Sequence, residues 1–280
     1  MIKNRIKLIA FDLDGTLLNE NKKVSIENRK VLEECGQMGI QLVPCTGRTI
    51  QGIPEEVLGI PGVHYAITVN GGKIVDKTTG EVIESRMFSP EQAVNVIDIA
   101  KEYPVMYDAY INGRGISDRS FLKHLEDYGI TGVLADFVRS VRDPVENVRE
   151  YVVREKKPVE KLNIFFRDLS CREELRTRIR SLGYTVVSSS TDFNLEINAE
   201  GATKGDAILS LASYLGISPD ETMAFGDGEN DITMIEKAGI GIAMGNAGEF
   251  LKVRADYITL TNEENGIADA VRHLILEQKQ

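Results

Sequence analysis

The chain has no tryptophan, only three cysteines and three histidines among its 280 residues, and no apolar run long enough to cross a bilayer. Cys35, Cys45 and Cys171 cannot all pair within one chain and lack metal-like spacing, so they fit a reducing compartment with buried thiols. His64, His124 and His273 stand outside every motif and read as structural or surface residues. Positive charge is short: 33 Lys and Arg against 43 Asp and Glu give a formal charge of -10. That balance argues against binding a nucleic-acid backbone, which needs a basic footprint. It leaves room for a small anionic substrate, because a bound cation reverses the local field. Lys3, Arg5 and Lys7 precede an apolar stretch that Asp12 cuts short, too brief for a signal peptide. A cytoplasmic protein with no membrane or nucleic-acid partner is expected. The sequence also holds neither G-x-S-x-G nor G-x-x-x-x-G-K-[ST], which removes the serine-hydrolase and P-loop readings.

What is present is concentrated in one segment. Ile6, Leu8, Ile9, Ala10 and Phe11 lead into Asp12-Leu13-Asp14-Gly15-Thr16. The apolar run reads as a strand buried on both faces, as in a parallel sheet. In extended chain, alternate side chains share a side, so Asp12 and Asp14 face one way and repel unless a cation, a shared proton or a reaction occupies them. Ligand sites of parallel sheets lie beyond the carboxyl ends of the strands. A calcium loop is a poor alternative, since Gly15 arrives before a third ligand.

Strand-like and helix-like segments alternate onward. Ser25 is positioned to cap a helix running to Met38, and a strand from Ile40 to Pro44 enters Cys45-Thr46-Gly47-Arg48. A short helix, interrupted by Pro54, precedes a strand from Tyr65 to Val69 that ends at Asn70-Gly71-Gly72. This βαβαβ rhythm implies a parallel sheet with right-handed crossovers. From about residue 84 to 190 the pattern becomes α+β, with Asn112-Gly113 as a hairpin turn. A strand at 194–197 is expected to pair with one at 184–188. The α/β pattern then returns: a helix from Lys204, a strand from Thr222 into Gly226-Asp227-Gly228-Glu229-Asn230-Asp231, and further strand–helix pairs to Leu276. The expected architecture is a discontinuous α/β core, 1–83 with 191–280, split by an α+β insert at 84–190.

Four polar segments, DLDGT, CTGR, the Lys204 region and GDGEND, stand where these elements begin or end. Each also has a purely structural reading. Thr46 has the character of a helix cap and Lys204 of a solvated lysine. Asp227 and Asp231 suit a helix start, and Asn230 suits a turn. Taken together and in this order, however, the four resemble the motifs of the haloacid dehalogenase superfamily of phosphotransferases. The insert resembles the large α+β cap of its Cof-type, sugar-phosphatase branch. Asn70-Gly71-Gly72 and the Leu195-Glu196-Ile197 approach to Lys204 are similar to that branch as well.

The resemblance implies a Rossmann-like core under a cap that excludes water, and a role for each motif residue. Asp12 would be the nucleophile that forms an aspartyl-phosphate. Asp14 would be the general acid and then the base, with a raised pKa. Mg²⁺ would be held by Asp12, the Asp14 backbone carbonyl and Asp227, with Asp231 binding directly or through water. Thr46, Gly47, Lys204 and Asn230 would bind the phosphoryl group. Arg48 is open between a phosphate contact and a structural ion pair. Asn70 and the hairpin tip at 112–114 are open between substrate contacts and turn chemistry. The implied activity is hydrolysis of small phosphorylated metabolites, sugar phosphates foremost. A phosphomutase and a non-catalytic phosphometabolite sensor are the alternatives.

Overall fold

A computed structural model describes residues 6–191 and 193–277; Lys3 and Arg5 lie outside the described residues. The chain divides into two compact units, Met1–Ser85 with Thr203–Gln280, and Arg86–Ala202. The first unit opens with strands β1 (Leu8–Phe11), β2 (Gln41–Pro44), β3 (Tyr65–Thr68), β4 (Lys73–Asp76) and β5 (Val82–Ser85). The inserted unit carries β6 (Val105–Ile111), β7 (Arg114–Asp118), β8 (Arg142–Val145), β9 (Lys161–Phe166), β10 (Thr185–Ser188) and β11 (Asn194–Ala199). The first unit resumes with β12 (Thr222–Gly226), β13 (Ile240–Ala243) and β14 (Tyr257–Ile258).

The main sheet of the first unit runs in the order β14-β13-β12-β1-β2, and every pairing in it is parallel. Both faces are covered, and the pleat sorts the side chains between them. Ile9 and Phe11 join Leu42, Met223, Phe225 and Ile242 in one apolar layer, beneath Val31, Leu32, Ile267 and Val271. Leu8 and Ala10 join Val43, Ala224 and Ala243 in the other, beneath Ala207, Ile208, Leu211 and Ile235. Full burial of each Leu, Ile or Phe side chain stabilises the fold by about 1.5–3 kcal/mol. Ser25 caps the helix Ile26–Gln37, its Oγ accepting from Asn28 N–H at 3.1 Å.

β1 lies between β2 and β12, and the chain leaves it in both directions, first to β2 and much later to β12. That is a topological switch point, where open α/β sheets form their crevice. The Tyr65–Val69 segment behaves differently from a further strand of this ladder. β3 pairs antiparallel with β4, and β4 with β5, while a single parallel bridge, Cys45–Ile67, links β3 to the chain after β2.

In the inserted unit, one sheet runs β10-β11-β9-β6-β7-β8. Asn112 and Gly113 both take positive φ in the β6–β7 turn, as a two-residue hairpin requires. The division between the units falls after Ser85 and after Ala202, later than residues 83 and 190. The reason is pairing: β11 lies between β10 and β9, with Asn194 opposite Phe165 and Ile197 opposite Val187. Strand 194–199 therefore belongs with the insert. Among the described residues, no helix is long and apolar enough to cross a membrane.

Candidate active site

Three neighbouring strands deliver their carboxyl ends to one place. Phe11 at the end of β1 is in register with Phe225 of β12 and Pro44 of β2. The chain beyond each strand supplies Asp12 and Asp14, Asp227 to Asp231, and Thr46 to Arg48. Asp12 N–H donates to Phe225 O at 3.0 Å, which holds the first two segments together. Gly15 has φ +81, and a Cβ there would lie 2.3 Å from Asp227 Oδ2. Only glycine lets the turn approach that carboxylate. Thr16 Oγ1 donates to Asp227 Oδ1 at 2.6 Å from the same turn.

Lys204 enters from the helix Lys204–Tyr214, which Thr203 caps by accepting from Asp206 N–H at 3.1 Å. A lysine in the first turn opposes the helix dipole, and this one is fully buried as well. It is held by carboxylates: its Nζ lies 2.9 Å from Asp12 Oδ1 and 2.6 Å from Asp231 Oδ1. Burial works against the ammonium charge, but Asp12 and Asp231 outweigh it and keep Lys204 protonated. Burial raises the pKa of Asp12 well above the carboxylate range; Lys204 counters this, while Asp231 and Asp227 add to it. Burial and the charge of Asp231 push Asp227 up to about 7.

Asp12, Asp227 and Asp231 each place a carboxylate oxygen within 4.8 Å of the others'. Three carboxylates around one lysine leave negative charge uncompensated, and an all-oxygen donor set suits a hard divalent cation. The residues present therefore fit a metal ion. They do not contribute alike. Asp231 is wholly buried; its Oδ1 pairs with Lys204, and its Oδ2 accepts from Asp227 N–H and Gly228 N–H, both at 2.9 Å. This carboxylate shapes the loop and anchors the lysine.

Asp14 departs from expectation. Its pKa is lowered to about 2, not raised: burial pushes it up, but hydrogen bonds and charge from Arg48, then Lys22, prevail. Arg48 grips both carboxylate oxygens, Lys22 Nζ adds a contact at 2.8 Å, and Arg48 Nη1 donates to Gly52 O. The side chain of Asp14 is 41 % exposed and that of Arg48 11 %. Arg48 is thus ion-paired here. Neither it nor Lys22, which the sequence reading left without a role, advertises its partner: the pairing needs a turn at Lys22, whose φ is +58, and a fold across 34 residues.

Thr46 is buried, its Oγ1 accepting from Arg48 N–H at 3.2 Å across Gly47. Asn230 Nδ2 donates to Asn70 Oδ1 at 3.1 Å, and Asn70 N–H donates to Thr46 O, so these residues form one connected rim. The hairpin tip at 112–114 lies in the inserted unit; there Arg114 pairs with Asp143 at 2.7 Å. Asn246 Nδ2, absent from the sequence reading, ties down Gly15 O at 2.9 Å; an isolated asparagine carries no signal for that. His64 contacts Gln41 and His273 stacks on Tyr257, away from these residues. Burial holds the Cys45 thiol neutral.

The haloacid dehalogenase-like hydrolase family matches residues 9–271. The chain belongs to that family. It is 31% identical over 271 residues to the 5-amino-6-(5-phospho-D-ribitylamino)uracil phosphatase YcsE of Bacillus subtilis, covering 97% of this chain and 96% of that one. A solved haloacid dehalogenase-like hydrolase from B. subtilis superposes with a TM-score of 0.85 at 29% identity, over 96% of this chain and 100% of that one. A solved sugar phosphatase of subclass IIB superposes with a TM-score of 0.80 at 26% identity, over 95% and 98%. The fold is the haloacid dehalogenase fold, and the chain is a phosphoric monoester hydrolase of that superfamily.

Proposed function

We propose that this hydrolase is a Mg²⁺-dependent phosphatase of small phosphorylated metabolites, with sugar phosphates the favoured class. The observation that carries the reading is the cluster of Asp12, Asp227 and Asp231 around the buried ammonium of Lys204. It gathers a nucleophile, a fixed cation and an oxygen-donor set at the switch point of the sheet. The substrate class is supported by the two relatives, one a phosphatase of a phosphoribitylamino compound and one a sugar phosphatase.

In this reading Asp12 attacks phosphorus, the bond to the leaving oxygen breaks, and Asp12 carries the phosphoryl group. Asp14 protonates the departing alkoxide, then takes a proton from the water that releases phosphate from Asp12. As found, Asp14 is ionised and suited to the base step; the acid step requires the Arg48 and Lys22 contacts to be released. Lys204 and Thr46 stabilise charge on the phosphoryl oxygens, with backbone N–H groups after Asp12 and at Gly47. Asn230 and Asn70 orient that rim. Mg²⁺, held by Asp12, Asp227 and the Asp14 carbonyl, would neutralise repulsion between nucleophile and phosphate. Asp231 acts through Lys204 and the loop backbone.

The test is phosphate release from sugar phosphates, nucleotides and p-nitrophenyl phosphate, with Mg²⁺, with EDTA, and with Asp12→Asn. Turnover that needs Mg²⁺, vanishes in Asp12→Asn and ranks sugar phosphates first is expected. Turnover that survives Asp12→Asn, or persists in EDTA, would refute the mechanism. Phosphoryl transfer seen only with a bisphosphate activator would indicate a mutase.

A further inference from the structure

The chain that follows Asp14 folds back on itself before it enters the first helix. Leu17 N–H donates to Asp12 O at 3.3 Å and Leu18 N–H to Leu13 O at 2.8 Å. Lys22 N–H then donates to Asn19 O, and Asn19 N–H to Lys23 O, a tight hairpin whose tip brings Lys22 to Asp14. Two loops more than 200 residues away in sequence hold this excursion from outside. Asn246 Nδ2 donates to Gly15 O at 2.9 Å, Asn262 Nδ2 to Leu18 O at 3.0 Å, and Glu20 N–H to Glu263 Oε1 at 2.7 Å. Residues 246, 262 and 263 thus meet residues 15, 18 and 20 in matching order.

The main sheet explains why these loops lie together. Thr259 N–H donates to Ala243 O at 3.0 Å and Gly245 N–H to Leu260 O at 2.9 Å, which prolongs the β13–β14 pairing into the loops beyond. A Cβ at Gly245 would lie 2.9 Å from Thr261 N, so the missing side chain lets the two loops run side by side. Asn262 N–H then donates to Asn246 Oδ1 at 3.1 Å. A backbone N–H can only donate, so it fixes the oxygen of the Asn246 amide on its own side and leaves Nδ2 for Gly15 O. Asn262 Nδ2 also donates to Glu263 Oε1 at 3.2 Å, which joins all three side chains in one network. Asn246 and Glu263 are exposed, where water competes and a hydrogen bond contributes little net stability. The network therefore acts on the direction of the backbone more than on the stability of the fold.

We propose that Asn246 and Asn262 act as one pair of positioning residues for phosphoryl transfer, fixing the Gly15–Leu18 backbone so that Asp12 and Thr16 stand where the reaction needs them. The Gly15 carbonyl belongs to the peptide that joins Thr16, and Thr16 Oγ1 donates to Asp227 Oδ1. Turning that peptide draws the hydroxyl away from Asp227 and re-aims the N–H groups that follow Asp12. Leu18 bridges to Asp14, so releasing Leu18 O loosens the same turn from its other end. Both asparagines act through the main chain. A displacement of about 1 Å at reacting groups costs about a hundredfold in rate. The inference rests on the reading of Asp12 as the nucleophile, which Asp12→Asn tests separately.

The test compares Asn246→Asp, Asn262→Asp and the double variant with the wild-type and with Glu264→Ala. Aspartate keeps the shape of asparagine and still accepts, but it sets a carboxylate oxygen against Gly15 O or Leu18 O. Glu264 secures the second loop through Thr261 and serves as the structural control. Each single variant is expected to lose about tenfold or more in kcat with KM little changed, and the double variant to lose no more than the worse single. Glu264→Ala is expected to keep the wild-type kcat. Without substrate, hydrogen exchange at the Leu17 and Leu18 amides should quicken in both asparagine variants more than exchange within β12. Wild-type kcat in either variant, a change confined to KM, additive losses, an equal loss in Glu264→Ala or unaltered exchange would each overturn the proposal. Turnover that survives Asp12→Asn would overturn the nucleophile reading and this inference with it. Unimpaired asparagine variants beside an inactive Asp12→Asn would overturn this inference alone.

Discussion

Arg48 and Asp14 meet in a fork: Arg48 Nε donates to Asp14 Oδ2 and Nη2 to Oδ1, both at 2.8 Å. A bidentate guanidinium favours the ionised carboxylate strongly, and with Lys22 it holds the Asp14 pKa at about 2. Because the folded value lies below the unfolded one, near 3.9, the pair stabilises the fold above about pH 4. That stability is lost as pH falls toward 2. The carboxylate is partly exposed, so solvent screens the effect and keeps it modest. In Arg48→Met the wild-type's loss of melting temperature between pH 4 and pH 2 should be visibly shallower. Parallel melting curves for the two proteins across that interval would mean that the fork contributes nothing.

Lys204 lies buried between Asp12 and Asp231, pairing with both, and its removal strands both carboxylates. Breaking a buried pair from one side costs about 3–5 kcal/mol. Lys204→Met should therefore lower the denaturation midpoint markedly and abolish phosphate release. Denaturant unfolding and the release assay, run on the same preparation, check the two effects separately. A variant with wild-type stability would show that the two acids find another way to shed their charge.

Much of this site was legible in the sequence because its signals are local. A buried strand entering Asp12-Leu13-Asp14-Gly15 reports its own turn, and Ser25 or Asn112-Gly113 report a cap and a hairpin within a few residues. What escaped depends on contacts that sequence spacing does not encode. The ionised state of Asp14 follows from Arg48, 34 residues away. The strands β4 and β5 draw Tyr65–Thr68 into an antiparallel ladder, and the late boundary at Ala202 follows from the pairing of β11. The Asn262–Leu18 contact spans 244 residues and is made possible by the missing side chain of Gly245.

The Gly15 turn offers a sharper probe of geometry. A methyl group there would lie 2.3 Å from Asp227 Oδ2, on a backbone with φ +81. Gly15→Ala should destabilise the protein by about 1–3 kcal/mol from backbone strain alone and cut phosphate release by displacing Asp227. Gly80 is the matched control, with φ +75 and nothing within 4 Å of a built Cβ. Gly80→Ala should show a comparable stability loss with catalysis intact. Equal activity losses in both variants would trace the effect to folding and not to the position of Asp227.

Asp227 and Asp231 sit four residues apart in one loop, yet their contacts predict opposite responses to Mg²⁺. Asp227 takes one hydroxyl hydrogen bond from Thr16, whereas both oxygens of Asp231 are committed to Lys204 and to two backbone N–H groups. If Asp227 helps hold the cation, Mg²⁺ at a hundredfold its dissociation constant should stabilise the wild-type by about 2.7 kcal/mol. Asp227→Asn should forfeit most of that gain while folding well in EDTA, since relief of carboxylate repulsion offsets the lost charge. Asp231→Asn should already be destabilised in EDTA, because it weakens the anchor of a buried lysine. Thermal melts of the three proteins with and without Mg²⁺ separate these patterns, and a full Mg²⁺ response in Asp227→Asn would remove that residue from the metal site.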